Sequence, residues 1–300
     1  MYEGEVILER KPHIDATGAV LLLIIMLALG LNQVGIKIVN EGLAPVFQAG
    51  LRSLAAAPLI FIYCLFRGSK IDTSRPVFIA GVLTGLAFAL EFALLFQALQ
   101  WTSVARASIF FYTMPFWVAL AAHFLIPGEK LTPIRIIGLA MAIAGVVIAL
   151  SDRQATAGPN AFLGDILALL AATGWALIAI VARTTAFSTL KADAQLFYQT
   201  AVSAVILLPL AFLLGDTWRE PTTLHWLIFS AQVLFVVCTC FMLWFWILSI
   251  YPASDMASFS FLAPVFGVIF GWLILNESLN WTIAIALILV AIGIVLINRR

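Results

Sequence analysis

An arginine and a glutamate, Arg52 and Glu91, stand inside two long apolar stretches of this 300-residue chain. Ionised side chains at such places are costly, and they persist as ion pairs, proton carriers or substrate contacts. Arg52 falls about eight residues from one end of its stretch, and Glu91 about seven from the adjoining end of the next. At 1.5 Å of helical rise per residue both lie roughly 10–12 Å deep, within reach of each other. Two roles stay open. A structural ion pair would lock the two helices together, because removing one partner strands the other charge. Alternatively, Glu91 faces a cavity, where it attracts a substrate ammonium or carries a coupling proton. His123, the other titratable group well inside such a stretch, reads as a packing residue. Glu129, Glu277 and Asp165, at turns or segment starts, read as acceptors for helix N-termini.

A second set of residues could hold a flat apolar molecule. Tyr112, Trp117, Trp175 and Trp244 are aromatic groups near polar neighbours, and Asn32, Gln33 and Ser258 add hydrogen-bonding capacity. Stacking on rings with orientation by a few polar contacts is how such pockets bind. Trp101, Trp218, Trp226 and Trp281 sit at segment edges and read as interfacial anchors. Pro115 and Pro264 fall mid-segment, where each removes a backbone hydrogen bond; they read either as gating hinges or as static kinks. Cys64, Cys238 and Cys240 are odd in number and lie in apolar runs, so they imply neither a disulfide framework nor a metal site. Three scattered histidines, His13, His123 and His225, offer no nucleophile–base arrangement. No cofactor is expected, and a membrane-embedded enzyme is disfavoured.

These residues must be positioned by helices in a bilayer. Sixty-three per cent of the chain is hydrophobic and 10% charged, whereas soluble domains run near 45–50% and about 25%. Each apolar run has the roughly 20 residues that a bilayer demands. The net charge of +1 excludes a nucleic-acid partner. Ten spans are expected, near 16–37, 44–66, 76–98, 104–126, 133–151, 161–182, 195–214, 223–248, 254–275 and 281–297. A cleaved signal peptide at the first run is disfavoured, since acidic residues precede it and no small-residue cleavage site follows.

The chain repeats itself. Thr102-Ser103-Val104-Ala105 leads through Ala107-Ser108 to Pro115, Glu129 and Gly145, and Tyr251-Pro252-Ala253-Ser254 leads through Ala257-Ser258 to Pro264, Glu277 and Gly293. Phe47-Gln48 with Pro58 answers Tyr198-Gln199 with Pro209. Five spans per copy is an odd number, so the second copy must be inverted in the membrane. Charge agrees. With the N-terminus inside, eleven of the sixteen Lys and Arg fall on the inner side and four (Lys37, Arg106, Arg153, Arg219) on the outer side, as cytoplasmic loops require. The expected organisation is an N-terminal cytoplasmic segment at 1–15, a first repeat at 16–151, an extracytoplasmic linker at 152–160, a second repeat at 161–297 and a cytoplasmic end at 298–300.

Trp101-Thr102-Ser103-Val104-Ala105 with Ala107-Ser108, Pro115, Gly128-Glu129, Gly138 and Gly145 resembles the EamA-type repeat of the drug/metabolite transporter superfamily, and Tyr251 to Gly293 resembles it again. Within that superfamily the chain is most similar to the YddG branch of amino-acid exporters. Arg106 against Asp255, at paired helix starts, departs from the symmetry. The resemblance implies a secondary transporter in the cell inner membrane. It would export amino acids, aromatic and other apolar ones favoured, by alternating access through a cavity between the repeats. A multidrug, purine or sugar-derivative exporter is the alternative. Expected partners are a small-molecule substrate and the lipid bilayer; the oligomeric state is open, a monomer included. Proton coupling has few carriers here, which leaves facilitated diffusion open beside it.

Overall fold

The computed structural model describes residues 11, 13–126, 129–152, 158–251, 256 and 259–298, without the side chains of residues 245, 248 and 249. The protein is an all-α membrane protein. Its helices are α1 (Ala16–Val39), α2 (Pro45–Phe66), α3 (Arg75–Trp101), α4 (Val104–Phe111), α5 (Met114–Leu125), α6 (Pro133–Ser151), α7 (Ala161–Thr184), α8 (Ala192–Leu214), α9 (Thr223–Ala231), α10 (Phe241–Ile250), α11 (Leu262–Leu275) and α12 (Trp281–Ile297). A π-helical stretch, Gln232–Cys240, joins α9 to α10, so these three form one crossing. Among the described residues, eight helical segments are long and apolar enough to cross a membrane, and α11 and α12 are shorter apolar helices. Helix is the form that satisfies every backbone group without water.

Capping residues fix where these helices begin. The carboxylate of Asp15 accepts from Gly18 N at 2.9 Å, and Ser103 Oγ from Arg106 N at 3.1 Å. Asn280 Oδ1 accepts from Ile283 N at 2.9 Å. Proline occupies the first turn of α2, α3, α5 and α6, where its missing N–H costs nothing. Left-handed residues stop α8 at Gly215 (φ 72°) and α11 at Asn276 (φ 54°).

The fourth span corrects the expectation for Pro115. It is not a bent continuous helix: α4 ends at Phe111, Tyr112-Thr113 form a turn, and α5 starts anew with Pro115 in its first turn. The proline ring would collide with the carbonyl four residues back, so the chain closes one helix and opens another. Thr113 Oγ1 donates to Phe110 O at 2.6 Å and satisfies a carbonyl at the break. Pro264 likewise sits in the first turn of α11, after the turn at Ser260-Phe261. Among the described residues, the prolines inside helices are Pro58 in α2 and Pro209 in α8, one in each repeat.

Helix pairing follows the repeat. α2 packs along α8 and α6 along α12, each helix against its own copy, while α1 lies on α11 and α7 on α4 and α5. The glycines show the exchange atom by atom. A Cβ on Gly145 would lie 2.8 Å from Ala286 O, and one on Gly293 would lie 2.8 Å from Gly138 O. Shifting each residue of the first pair to its copy yields the second pair. The main core gathers α1, α3, α4, α7, α11 and α12, leaving apolar residues such as Leu65, Phe66 and Leu213 exposed toward lipid.

Candidate functional site

Near the middle of the bundle, polar groups from three helices meet. Ser108 Oγ on α4 donates to Gln33 Oε1 on α1 at 2.7 Å, and both side chains are buried. The hydroxyl of Tyr112, one turn beyond Ser108, lies near Gln33 and within the field of Glu91. α11 crosses this cluster so closely that a Cβ on Gly267 would lie 2.3 Å from Ser108 Oγ. Glu91 on α3 is fully buried, and neither carboxylate oxygen has a hydrogen-bond partner. Its own Cβ would be 3.0 Å from a Cβ on Gly174, so α7 presses on the helix that carries it. Of the residues singled out by sequence, Gln33, Tyr112 and Glu91 therefore come together, and Ser108 joins them.

Arg52 does not form the expected direct ion pair with Glu91. The two charges feel each other through space, yet both Glu91 oxygens stand unbonded. Instead the Arg52 guanidinium lies over the rings of Phe92 and Phe96, at 4.2 and 4.7 Å from their centroids. A planar, weakly hydrated cation stacks favourably on aromatic faces. Arg52 is 2% exposed. One turn before it on α2, Gln48 Nε2 donates to Gln232 Oε1 at 3.3 Å, at the start of the π-helical stretch. The remaining polar atom of each amide, Gln48 Oε1 and Gln232 Nε2, is buried without a partner. Sequence reasoning missed both glutamines. The spacing of Gln48 and Arg52, four apart on one helix face, was the available signal.

The other expected contacts are more dispersed. Asn32 is half-buried with its Oδ1 unpartnered, and Trp117 on α5 buries an indole N–H that donates to nothing. Trp175 and Trp244 are half-buried against the main core, and Ser258 lies outside the described residues, as does Asp255. Buried polar groups in proteins are nearly always satisfied, so the unpartnered atoms on Glu91, Gln48, Gln232, Asn32, Asn40 and Trp117 stand out among the described residues. His123 is structural: its Nδ1 accepts from Leu131 N at 3.2 Å.

The two ends of the bundle are closed unequally. At one end, Arg106 of the first repeat grips Asp165 of the second. Nη2 donates at 2.6 Å and Nε reaches both oxygens at 3.1 Å, with side chains only 2% and 0% exposed. Thr102 Oγ1 adds a bond to Asp165 Oδ1 at 2.7 Å. Glu277 caps the N-terminus of α4, accepting from Val104 N at 2.7 Å and Ala105 N at 3.1 Å, while Lys37 lies 3.6 Å away. Asp165 and Glu277 thus serve neither their own turns nor their own helix starts; both hold the opposite repeat. At the other end, Glu129 pairs with Arg183, and Asp15 bonds Tyr251 Oη at 2.6 Å and Lys11 at 2.5 Å. The side chains of Lys11, Asp15, Arg183 and Glu129 remain 36–50% exposed, although Tyr251 is buried. Bonds from Lys11, Tyr251 and Gly18 hold the Asp15 carboxyl well below the usual carboxylate range. Helix α4 is buried throughout its eight residues, whereas in α5 only Ala122 is buried.

Comparison with known proteins agrees with this architecture. A probable amino-acid metabolite efflux pump of Escherichia coli strain K12 is 30% identical over 291 residues, 92% of each chain. An uncharacterized transporter of Bacillus subtilis, YoaV, is 25% identical over 88% of this chain and 91% of its own. An S-adenosylmethionine/S-adenosylhomocysteine transporter of Chlamydia trachomatis is 26% identical over 81% and 77%. A crystal structure with 20% identity superposes with a TM-score of 0.65, covering 95% of this chain and 98% of the other, which shows a shared fold. The profile of the EamA-like transporters matches at residues 16–151 and again at 162–299. With ten apolar helices in two copies of one unit, this chain belongs to the EamA-like transporter family.

Proposed function

We propose that the protein exports amino acids, apolar and aromatic ones favoured, by alternating access through the centre of the bundle. The observation that carries this reading is the set of buried, unpartnered polar groups between the repeats, Glu91 foremost. A static core would leave a native carboxylate bonded. Unequal closure of the two ends is what one state of an alternating carrier requires. Two relatives lend support: one is named for amino-acid metabolites, and the other for S-adenosylmethionine and S-adenosylhomocysteine, which carry an α-amino-acid end.

The Lys and Arg bias assigns both termini to the cytoplasm and the Arg106 end to the outside of an inner membrane. On that assignment the structure is closed outward and looser inward, with Gln33, Tyr112, Glu91, Trp117 and Asn32 around the substrate. Trp175 and Trp244, half-buried against the main core, and Ser258, outside the described residues, remain proposals from sequence. The breaks before Pro115 and Pro264 provide the places where spans four and nine flex. Counterflow in liposomes holding the purified protein tests this. Labelled phenylalanine, leucine and methionine should exchange against the same solute inside, and a pH gradient should reveal any coupling. Failure of the whole amino-acid panel, with exchange of another metabolite, refutes the substrate assignment.

A further inference from the structure

Arg52 and Glu91 are opposite charges in the same apolar interior that do not bond each other. Glu91 has two free oxygens at 0% exposure. Arg52 has its ring-facing surface covered by Phe92 and Phe96, and no described acceptor takes the N–H groups along its edge. That is the arrangement of a clamp: stacking fixes the plane of the guanidinium while its edge stays ready for a bidentate acceptor. Arg52 lies among Ser53, Ala56, Phe88, Thr200 and Val237, with no room for a water molecule between them in this conformation. Leaving two such groups unpaired costs several kcal/mol each. The expense is recovered when a third molecule bridges them.

We infer that Arg52 and Glu91 read the two ends of a zwitterion: Arg52 takes an α-carboxylate and Glu91 takes an α-ammonium. The inference rests on the amino-acid reading above and sharpens it. The required cargo is an unblocked α-amino acid, and the residue's side chain is directed toward the aromatic groups around Phe88, Phe92 and Tyr112. A direct Arg52–Glu91 ion pair would compete with such a ligand; the separation of the pair by stacking on Phe92 and Phe96 keeps both charges available. Selectivity would then be steep at the backbone end and shallow at the side-chain end. A site built for a charged group rejects an analogue lacking it far better than an apolar pocket discriminates methylenes.

Competition against counterflow of labelled L-phenylalanine tests this without relying on one variant. L-Phenylalaninamide lacks the carboxylate and N-acetyl-L-phenylalanine lacks the ammonium; each should compete at least about tenfold more weakly than the parent. In Glu91→Gln the discrimination against the N-acetyl compound should collapse while that against the amide persists. Arg52→Gln should show the reverse. A merely structural pair would lower activity without exchanging selectivities. Equal competition by both blocked compounds in the wild-type protein overturns the inference while leaving amino-acid export intact. Exchange of a non-amino-acid metabolite with no amino-acid exchange overturns both.

Discussion

Removing the Asp165 charge should open the end of the bundle that it closes. The Asp165→Asn variant keeps the shape of the side chain and leaves Arg106 as a buried cation, 2% exposed, with only Asp152 O at 3.2 Å and the Phe110 ring, 5.7 Å from its centroid, as company. Breaking one partner of a buried pair costs about 3–5 kcal/mol. Part of that is recovered because an amide oxygen still accepts from the guanidinium, so about 2–3 kcal/mol is expected against the closed state. At 1.4 kcal/mol per factor of ten, this is roughly a 30- to 150-fold shift in population. Arg106 and Asp165 belong to different repeats, so the loss falls on the contact between halves and not on either half alone. Ala105, 1% exposed beneath the network, is the reporter. In a background without Cys64, Cys238 and Cys240, Ala105→Cys should react slowly with an impermeant maleimide. Adding Asp165→Asn should speed labelling at least about tenfold, and replacing both charges by leucine should restore protection, since apolar substitution of a buried pair is close to neutral. Unchanged labelling with folded protein, or labelling by the double variant as fast as by Asp165→Asn, refutes the reasoning.

Glu277→Gln removes the charge that caps α4 but keeps an acceptor for Val104 N and Ala105 N. A smaller opening, worth about 1 kcal/mol, should appear in the same labelling assay. Gly30→Ala would place a Cβ 2.7 Å from Phe266 Cβ and 2.8 Å from Gly267 N. Overpacking of about 1–3 kcal/mol should lower thermal stability and slow counterflow, and a neutral effect would show that α1 and α11 separate freely. The folded pKa of Asp15 is depressed, so its contribution is fully present above the unfolded value near 4 and is lost as pH falls through the folded value. The stability difference between wild type and Asp15→Asn, followed by thermal denaturation, should be flat from about pH 8 to 5 and shrink in acid; growth on acidification contradicts this.

The spans were legible because a bilayer imposes a length, and Pro, Gly and capping residues punctuate the runs. Helix ends lie within a few residues of the expected ones except at the start of the ninth span, part of which lies outside the described residues; in the fourth span the ends agree and the break between α4 and α5 was missed. Pro115 was visible, but whether a proline bends a helix or begins one depends on what satisfies the carbonyls before it, here Thr113. Depth along a helix was likewise legible and azimuth was not. Arg52 and Glu91 do lie in one interior, yet the partner of Arg52 is a pair of rings on α3. Arg106 illustrates the same limit. Placed by sequence in an outer loop three residues past Ser103, it is buried because all of α4 is enclosed by the other repeat. Its partner, Asp165, is 59 residues away, a relation that no local pattern encodes.

A repeat of one unit sets the energetic problem that its broken positions must solve. If both halves were identical, closing either end would have the same free energy, and the carrier would spend equal time in each state. The contacts described here are unequal. Gly30, mid-way along α1, packs on α11 at Phe266, whereas Gly174, mid-way along α7, packs most closely on α3 at Glu91 and Ala87. The Arg106–Asp165 pair closes one end; its counterpart position, Asp255, carries the opposite charge, so the same bond cannot form at the other end. Such a bias must stay within a few kcal/mol, since a state populated at one part in a hundred already lowers apparent affinity by that factor. A buried ion pair suits this need. Its attraction is largely offset by desolvation, so it specifies which end closes with little net stabilisation. A purely apolar seal of the same area, at about 25 cal/mol per Å², would hold the end shut far more firmly. On the transport cycle proposed above, the polar seal at Arg106 and the unbonded carboxyl of Glu91 would be two parts of one design: the first would keep the closed state shallow, and the second would make the empty site unstable until cargo arrives.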